Sequence, residues 1–268
     1  MSEVVVENML RRDRAIVIFC LAAITALAWG YTVWLAENMH MGGTHGQAME
    51  MGALLAPVFK PWTAAHFIVM FVMWTVMMVG MMLPSVAPMI LLYARVGRLA
   101  ALQGKPLAGT SFFAGGYLLA WTAFSLVATS GQWLLERAAL LTPMMTTNDI
   151  LGGMVLISAG LFQWTPAKDA CLKYCQAPLN FIQQHGGFRP SPLHSLDLGL
   201  RHGLYCVGCC WALMALLFVG GVMNIIWIAG LTIFVLLEKI VPSGRIVSRA
   251  AGVGLLVWGS ALLIAEFG

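Results

Sequence analysis

Charge is scarce in this chain. Only 10% of its 268 residues are Asp, Glu, Lys or Arg, against 60% hydrophobic residues and a mean hydropathy of +0.85. Soluble domains carry roughly 25% charged residues, so this composition excludes one and leaves a polytopic membrane protein. Catalytic signatures are missing too: there is no phosphate-binding glycine loop, no zincin motif and no nucleophile elbow. The chain therefore reads as a binding or transport protein before an enzyme, and any energy from ATP has to come from a partner. Nothing in the charge pattern points to nucleic acid, and the net charge of +4 is read as attraction to anionic inner-leaflet lipid. No long linker and no internal repeat divides residues 1–268, which form one membrane domain.

What is abundant is apolar sequence in lengths that suit helices. Crossing ~30 Å of hydrocarbon takes roughly 20 residues, and about seven segments qualify: 15–35, 64–92, 109–133, 150–164, 199–219, 224–240 and 249–266. The fourth and sixth are short and are expected to tilt or to sit among other helices. The first follows Arg11, Arg12 and Arg14 as a signal peptide would, but it is long and lacks a small-residue cleavage site, so it reads as a retained helix. Placing the N-terminus in the cytoplasm puts Lys and Arg on that side throughout, leaving only Lys60 and Arg137 of the 15 basic residues outside. The expectation is an all-α, seven-span bundle with an extracytoplasmic loop at 39–61 and a cytoplasmic connection at 165–198. Gly or Ala on helix faces, as in Ala250–Gly254, fits close helix packing.

Five of the six cysteines gather on the cytoplasmic side of this topology. In "LYCVGCCW", His202, Cys206 and Cys209 are spaced i, i+4, i+7 and share a helix face, with Cys210 adjoining. Upstream, "TPAKDACLKYCQAP" reads as a short helix capped by Thr165, started by Pro166 and stopped by Pro178, with Cys171 and Cys175 one turn apart. A reducing compartment argues against disulfides there. Thiolates with an imidazole suit Cu(I), Zn(II) or an iron-sulfur centre, whereas cysteines that merely pack as small hydrophobes would need no histidine beside them. Trp211 follows Cys210, so this is not the CxxCH of covalent haem attachment.

A second soft-donor set lies toward the other side. The loop "MHMGGTHGQAMEMG" combines Met39, His40, Met41, His45, Met49 and Met51. His66, Met70, Met73, Met77 and Met81 then step by 4, 3, 4 and 4 residues along one helical stripe, flanked by Met78 and Met82. Either these methionines are adaptable core filler or they form a relay to the cysteines. The relay requires the second and fifth segments to touch. Pro84 and Pro88 are expected to kink or break the second segment near its inner end. Glu238 is a further candidate functional acid, with Lys239 or Arg245 as its expected partner. Asn224 with Gly220 and Gly221 marks a turn.

The blocks "MMLPSVAPM", "GLFQWTPAKDACLKYCQAP", "GLRHGLYCVGCCWALM", "GVMNIIW" and "EKIVPSG", in this order, resemble a bacterial family of metal-binding integral membrane proteins, a domain of unknown function sometimes labelled copper chaperone. The similarity runs from about Trp74 to Gly259. It implies a multi-pass protein of the bacterial inner membrane with a metal site at Cys171, Cys175, His202, Cys206, Cys209 and Cys210, serving copper before zinc or iron-sulfur. Three functions follow from residues and resemblance together: binding and passing on or translocating copper, with a soluble metal carrier or a membrane protein as partner; an assembly scaffold whose cysteines pack or hold a structural metal; or a thiol or quinone redox protein.

Overall fold

Inside hydrocarbon each backbone amide must bond within its own segment, so an apolar chain of this kind resolves into helices. The computed structural model describes residues 3–45, 62–138, 140–141 and 147–267. Among these residues the regular structure is helical: α1 Glu3–His45, α2 Ala64–Leu102, α3 Thr110–Arg137, α4 Asp149–Phe162, α5 Pro166–Gln176, α6 Pro178–Gln184, α7 Pro192–Ala215, α8 Leu217–Gly220, α9 Ile225–Ile240 and α10 Gly244–Phe267.

All seven expected apolar segments appear as helices, but fewer can span. Among the described residues five are long and apolar enough: Arg11–Asn38, Ala64–Leu102, Thr110–Arg137, Pro192–Gly220 and Gly244–Glu266. A sixth arises if α4 and α5, bent by 66° at their junction, act as one broken span. The 14 residues of α4 and 16 of α9 reach only ~21 and ~24 Å at 1.5 Å per residue, short of ~30 Å. The exterior is apolar, with Phe19 and Leu27 of α1 and Val257 and Ile264 of α10 exposed, which suits a multi-pass membrane protein. The first helix also exceeds its expected limit. It runs to His45, so the backbone at Met39, His40, Met41 and His45 is helical and not a loop, while their side chains, and Met49 and Met51, lie outside the described residues.

Close approach of helices rests on glycine at named points. On α7 a Cβ at Gly199 would sit 2.0 Å from the Phe113 carbonyl oxygen, and one at Gly203 2.6 Å from Ala120 Cβ, so α7 lies directly on the α3 backbone. The α4–α10 pair is built the same way, through Gly153, Gly160, Gly252 and Gly259, whereas Gly254 faces open space. Pro84 and Pro88 do not interrupt α2. Pro84 has no N–H for the Gly80 carbonyl, and the indole Nε1 of Trp29 on α1 donates to that oxygen instead, at 3.2 Å. Asn224 accepts from Trp227 N at 3.2 Å as the N-cap of α9, and Gly221 takes φ +94° in the turn before it.

Candidate metal centre

The site is assembled on α7. His202, Cys206 and Cys209 fall on one buried face, with 3%, 2% and 0% of their surface exposed, and Cys210 is buried beside them. The cap and proline expected from sequence form α5: Thr165 accepts from Lys168 N, Pro166 opens the helix, and Pro178 starts α6 instead of merely ending α5. This helix packs against α7, where Cys175 Sγ stands 3.9 Å from Cys209 Sγ. Gly208 makes room for the second thiol, because a Cβ there would lie 3.0 Å from Cys171 Sγ. The two cysteine blocks of the sequence therefore meet. Cys20, by contrast, is exposed on α1.

Cys206 is the hub of the polar contacts. Its carbonyl oxygen accepts from the thiols of Cys209 and Cys210, at 3.1 and 2.9 Å. Its own Sγ receives the Lys239 ammonium at 2.9 Å and faces the Tyr117 hydroxyl at 3.1 Å. Lys239 also donates to Ser85 Oγ at 3.1 Å, and Tyr117 to the Met82 carbonyl at 3.1 Å. Segments of α2, α3, α7 and α9 thus converge on one sulfur. His202 is enclosed by Phe181 and Phe113, with ring centroids 5.0 and 5.9 Å away, and its buried Nδ1 has no hydrogen-bond partner among the described residues. An orphaned imidazole nitrogen in a dry pocket is a donor in want of a ligand.

Glu238 does not pair with Lys239 or Arg245. Successive helical residues point about 100° apart, so Glu238 turns to Lys168 on α5, at 2.9 Å, while Lys239 turns to Cys206. Ser248 donates to the other carboxylate oxygen at 2.5 Å, and Gln176 donates to the Glu238 carbonyl at 2.8 Å. Arg245 lies 3.2 Å from Asp169. These bonds tie α5 to α9 and α10 and so fix the height of Cys171 and Cys175 beside α7. Glu238 is a structural anchor in this arrangement.

The methionine stripe is buried throughout: Met70, Met73, Met77 and Met81, with flanking Met78 and Met82, all belong to the hydrophobic core. Its helix packs chiefly on α1 and α3, and next on α9, so it meets the thiols of α7 through Tyr117, Ser85 and Lys239. The second and fifth segments that a relay requires to be neighbours do touch directly elsewhere, through the Trp74 and Phe218 rings, 5.3 Å between centroids, and α2 also reaches α7 where the Tyr93 hydroxyl meets Ser195 Oγ at 2.5 Å. At its far end the half-buried His66 lies against the Trp62 ring, 4.7 Å between centroids, and the Trp62 indole donates to Glu136 at 2.6 Å. Gln132 Nε2 bridges Glu136 Oε1, at 2.9 Å, toward Met70 Sδ, at 3.9 Å.

Sequence reasoning missed Lys168, Lys239, Tyr117 and Ser85. One signal was available: an apolar segment holding an acid deep in a bundle requires a buried base, and α5 supplies the nearby lysine. Among the described residues, no group of three or more His, Cys, Asp or Glu side chains is arranged to hold an ion. What the structure offers is a close thiol pair, further thiols within a helical turn, and one unpartnered imidazole.

A family model described as PpoB2, copper chaperone, matches residues 71–262. The chain belongs to this copper chaperone family. The PpoB2 match spans both cysteine blocks, Lys239 and Glu238, and leaves out His66, Met70 and the stretch from Met39 to Gly52. No curated protein and no solved structure matches the chain.

Proposed function

We propose that this chain binds Cu(I) as cargo at the thiols of α5 and α7 and passes it on or translocates it at the bacterial inner membrane. The observation that carries the reading is the approach of Cys175 to Cys209, 3.9 Å between sulfurs, in a chain of the copper chaperone family. Cysteine thiolates are soft donors that select Cu(I). Cu(I) is satisfied by two or three of them, whereas zinc takes four ligands, and the geometry supplies a close pair without a four-ligand cage. Cys171 on α5, and Cys206, Cys210 and the unpartnered Nδ1 of His202 on α7, are the additional donors in this reading. Binding releases thiol protons to solvent, so uptake falls as pH drops.

With the N-terminus in the cytoplasm, this thiol end faces the cytoplasm, and a soluble metal carrier of that compartment is the fitting partner. The helical methionines then lie on the route toward the opposite face. The scaffold reading draws support from the bonds of Cys209 and Cys210 to the Cys206 carbonyl, which are ordinary for packed helical thiols. Elemental mass spectrometry on anaerobically purified, Cu(I)-reconstituted protein separates the two. Near-stoichiometric copper that is lost in Cys175→Ser/Cys209→Ser supports cargo binding. Equal copper in both proteins, with only thermal stability lowered in the variant, supports the scaffold.

A further inference from the structure

Lys239 is buried, and its ammonium is aimed at a sulfur of the thiol cluster, 2.9 Å from Cys206 Sγ. A cation thus already sits among the donors. Nothing in the bundle obliges it to be there: the nearby carboxylate, Glu238, is fully engaged with Lys168 and Ser248, and Asp169 is engaged with Arg245. Ser85 holds the ammonium from the α2 side at 3.1 Å, which limits its retreat.

We infer that Lys239 is a charge filter that makes the thiol cluster selective for a monovalent soft cation over a divalent one. This rests on the cargo reading above and adds to it the residue that sets which ion is accepted. A fixed positive charge repels an incoming ion in proportion to that ion's charge, so at one position it penalises Zn(II) twice as heavily as Cu(I). The balance of the whole site points the same way. With Cys175 and Cys209 as thiolates, the pair, one ammonium and a monovalent ion sum to zero, whereas a divalent ion reaches neutrality only by ionising a third buried thiol. The two thiol protons leave to solvent on binding, and no electrons are exchanged.

The test uses full-length protein in detergent, under anaerobic conditions, with Cu(I) affinity read by competition against a chromophoric Cu(I) chelator and Zn(II) affinity against a zinc chelator. Wild type is compared with Lys239→Leu, which adds no metal donor, with Lys239→Gln, which stays polar toward Ser85 should the leucine variant fold poorly, and with the charge-retaining Lys239→Arg. The expected result is that Zn(II) affinity rises at least tenfold more than Cu(I) affinity in both neutral variants, while the arginine variant keeps the wild-type preference. If the two affinities move by the same factor, or neither moves, the filter is overturned while the cargo reading stands. If wild type binds no Cu(I), the cargo reading itself fails, and the filter with it.

Discussion

Two lysines are buried at this end of the bundle, and they are held in opposite ways. Lys168 meets a carboxylate that is itself capped by Ser248, and both partners are almost fully enclosed. Lys239, carried by the residue next to that same glutamate, meets a thiol and a hydroxyl. The first arrangement is closed: opposite charges neutralise each other and leave nothing to bind. The second stays open, because a thiol can exchange its partner for a metal ion. Adjacent positions on α9 therefore serve separate ends, Glu238 fixing the α5 helix and Lys239 entering the donor cluster.

The largest effect should come from breaking the closed pair. Lys168→Ala leaves a carboxylate buried without its base, and such a loss typically costs about 3–5 kcal/mol. Thermal unfolding in detergent should show it, with the double variant Lys168→Met/Glu238→Met recovering most of the loss. A single variant as stable as wild type would mean that the pair does not hold α5 in place. Lys239→Met should cost less, about 1.5–3 kcal/mol for the lost bonds of its ammonium to Cys206 and Ser85; a loss as large as that of Lys168→Ala would erase the contrast between the two lysines. Smallest is Tyr117→Phe, which removes one hydroxyl from the Met82 carbonyl and Cys206 Sγ at about 0.5–1.5 kcal/mol. It should leave Cu(I) stoichiometry unchanged, as counted by elemental analysis of loaded protein.

The helices and the cysteine-bearing faces were legible from the sequence because both are local properties. Apolar run length marks a helix, i, i+4, i+7 spacing puts His202, Cys206 and Cys209 together, and a Thr-Pro start with a distal proline delimits α5. The two segments that length marks as short, α4 and α9, are short helices in the structure, and close packing at Gly153 and Gly160 seats α4 against α10. The partners of Glu238 and Cys206 were not legible. Lys168 and Glu238 are 70 residues apart, and Cys206 and Lys239 are 33 apart; nothing in the spacing says which way each α9 side chain turns. The lysine's position in the chain suited a membrane-edge charge equally well, and only the tertiary fold draws it inward.

The most direct test of copper ligation is X-ray absorption at the copper edge of Cu(I)-loaded full-length protein, wild type beside Cys175→Ser/Cys209→Ser. The account predicts a Cu(I) ion with a sulfur-dominated shell in wild type, and loss of that shell in the variant. Copper ligated by nitrogen and oxygen alone in wild type, or an unchanged sulfur shell in the variant, would contradict it.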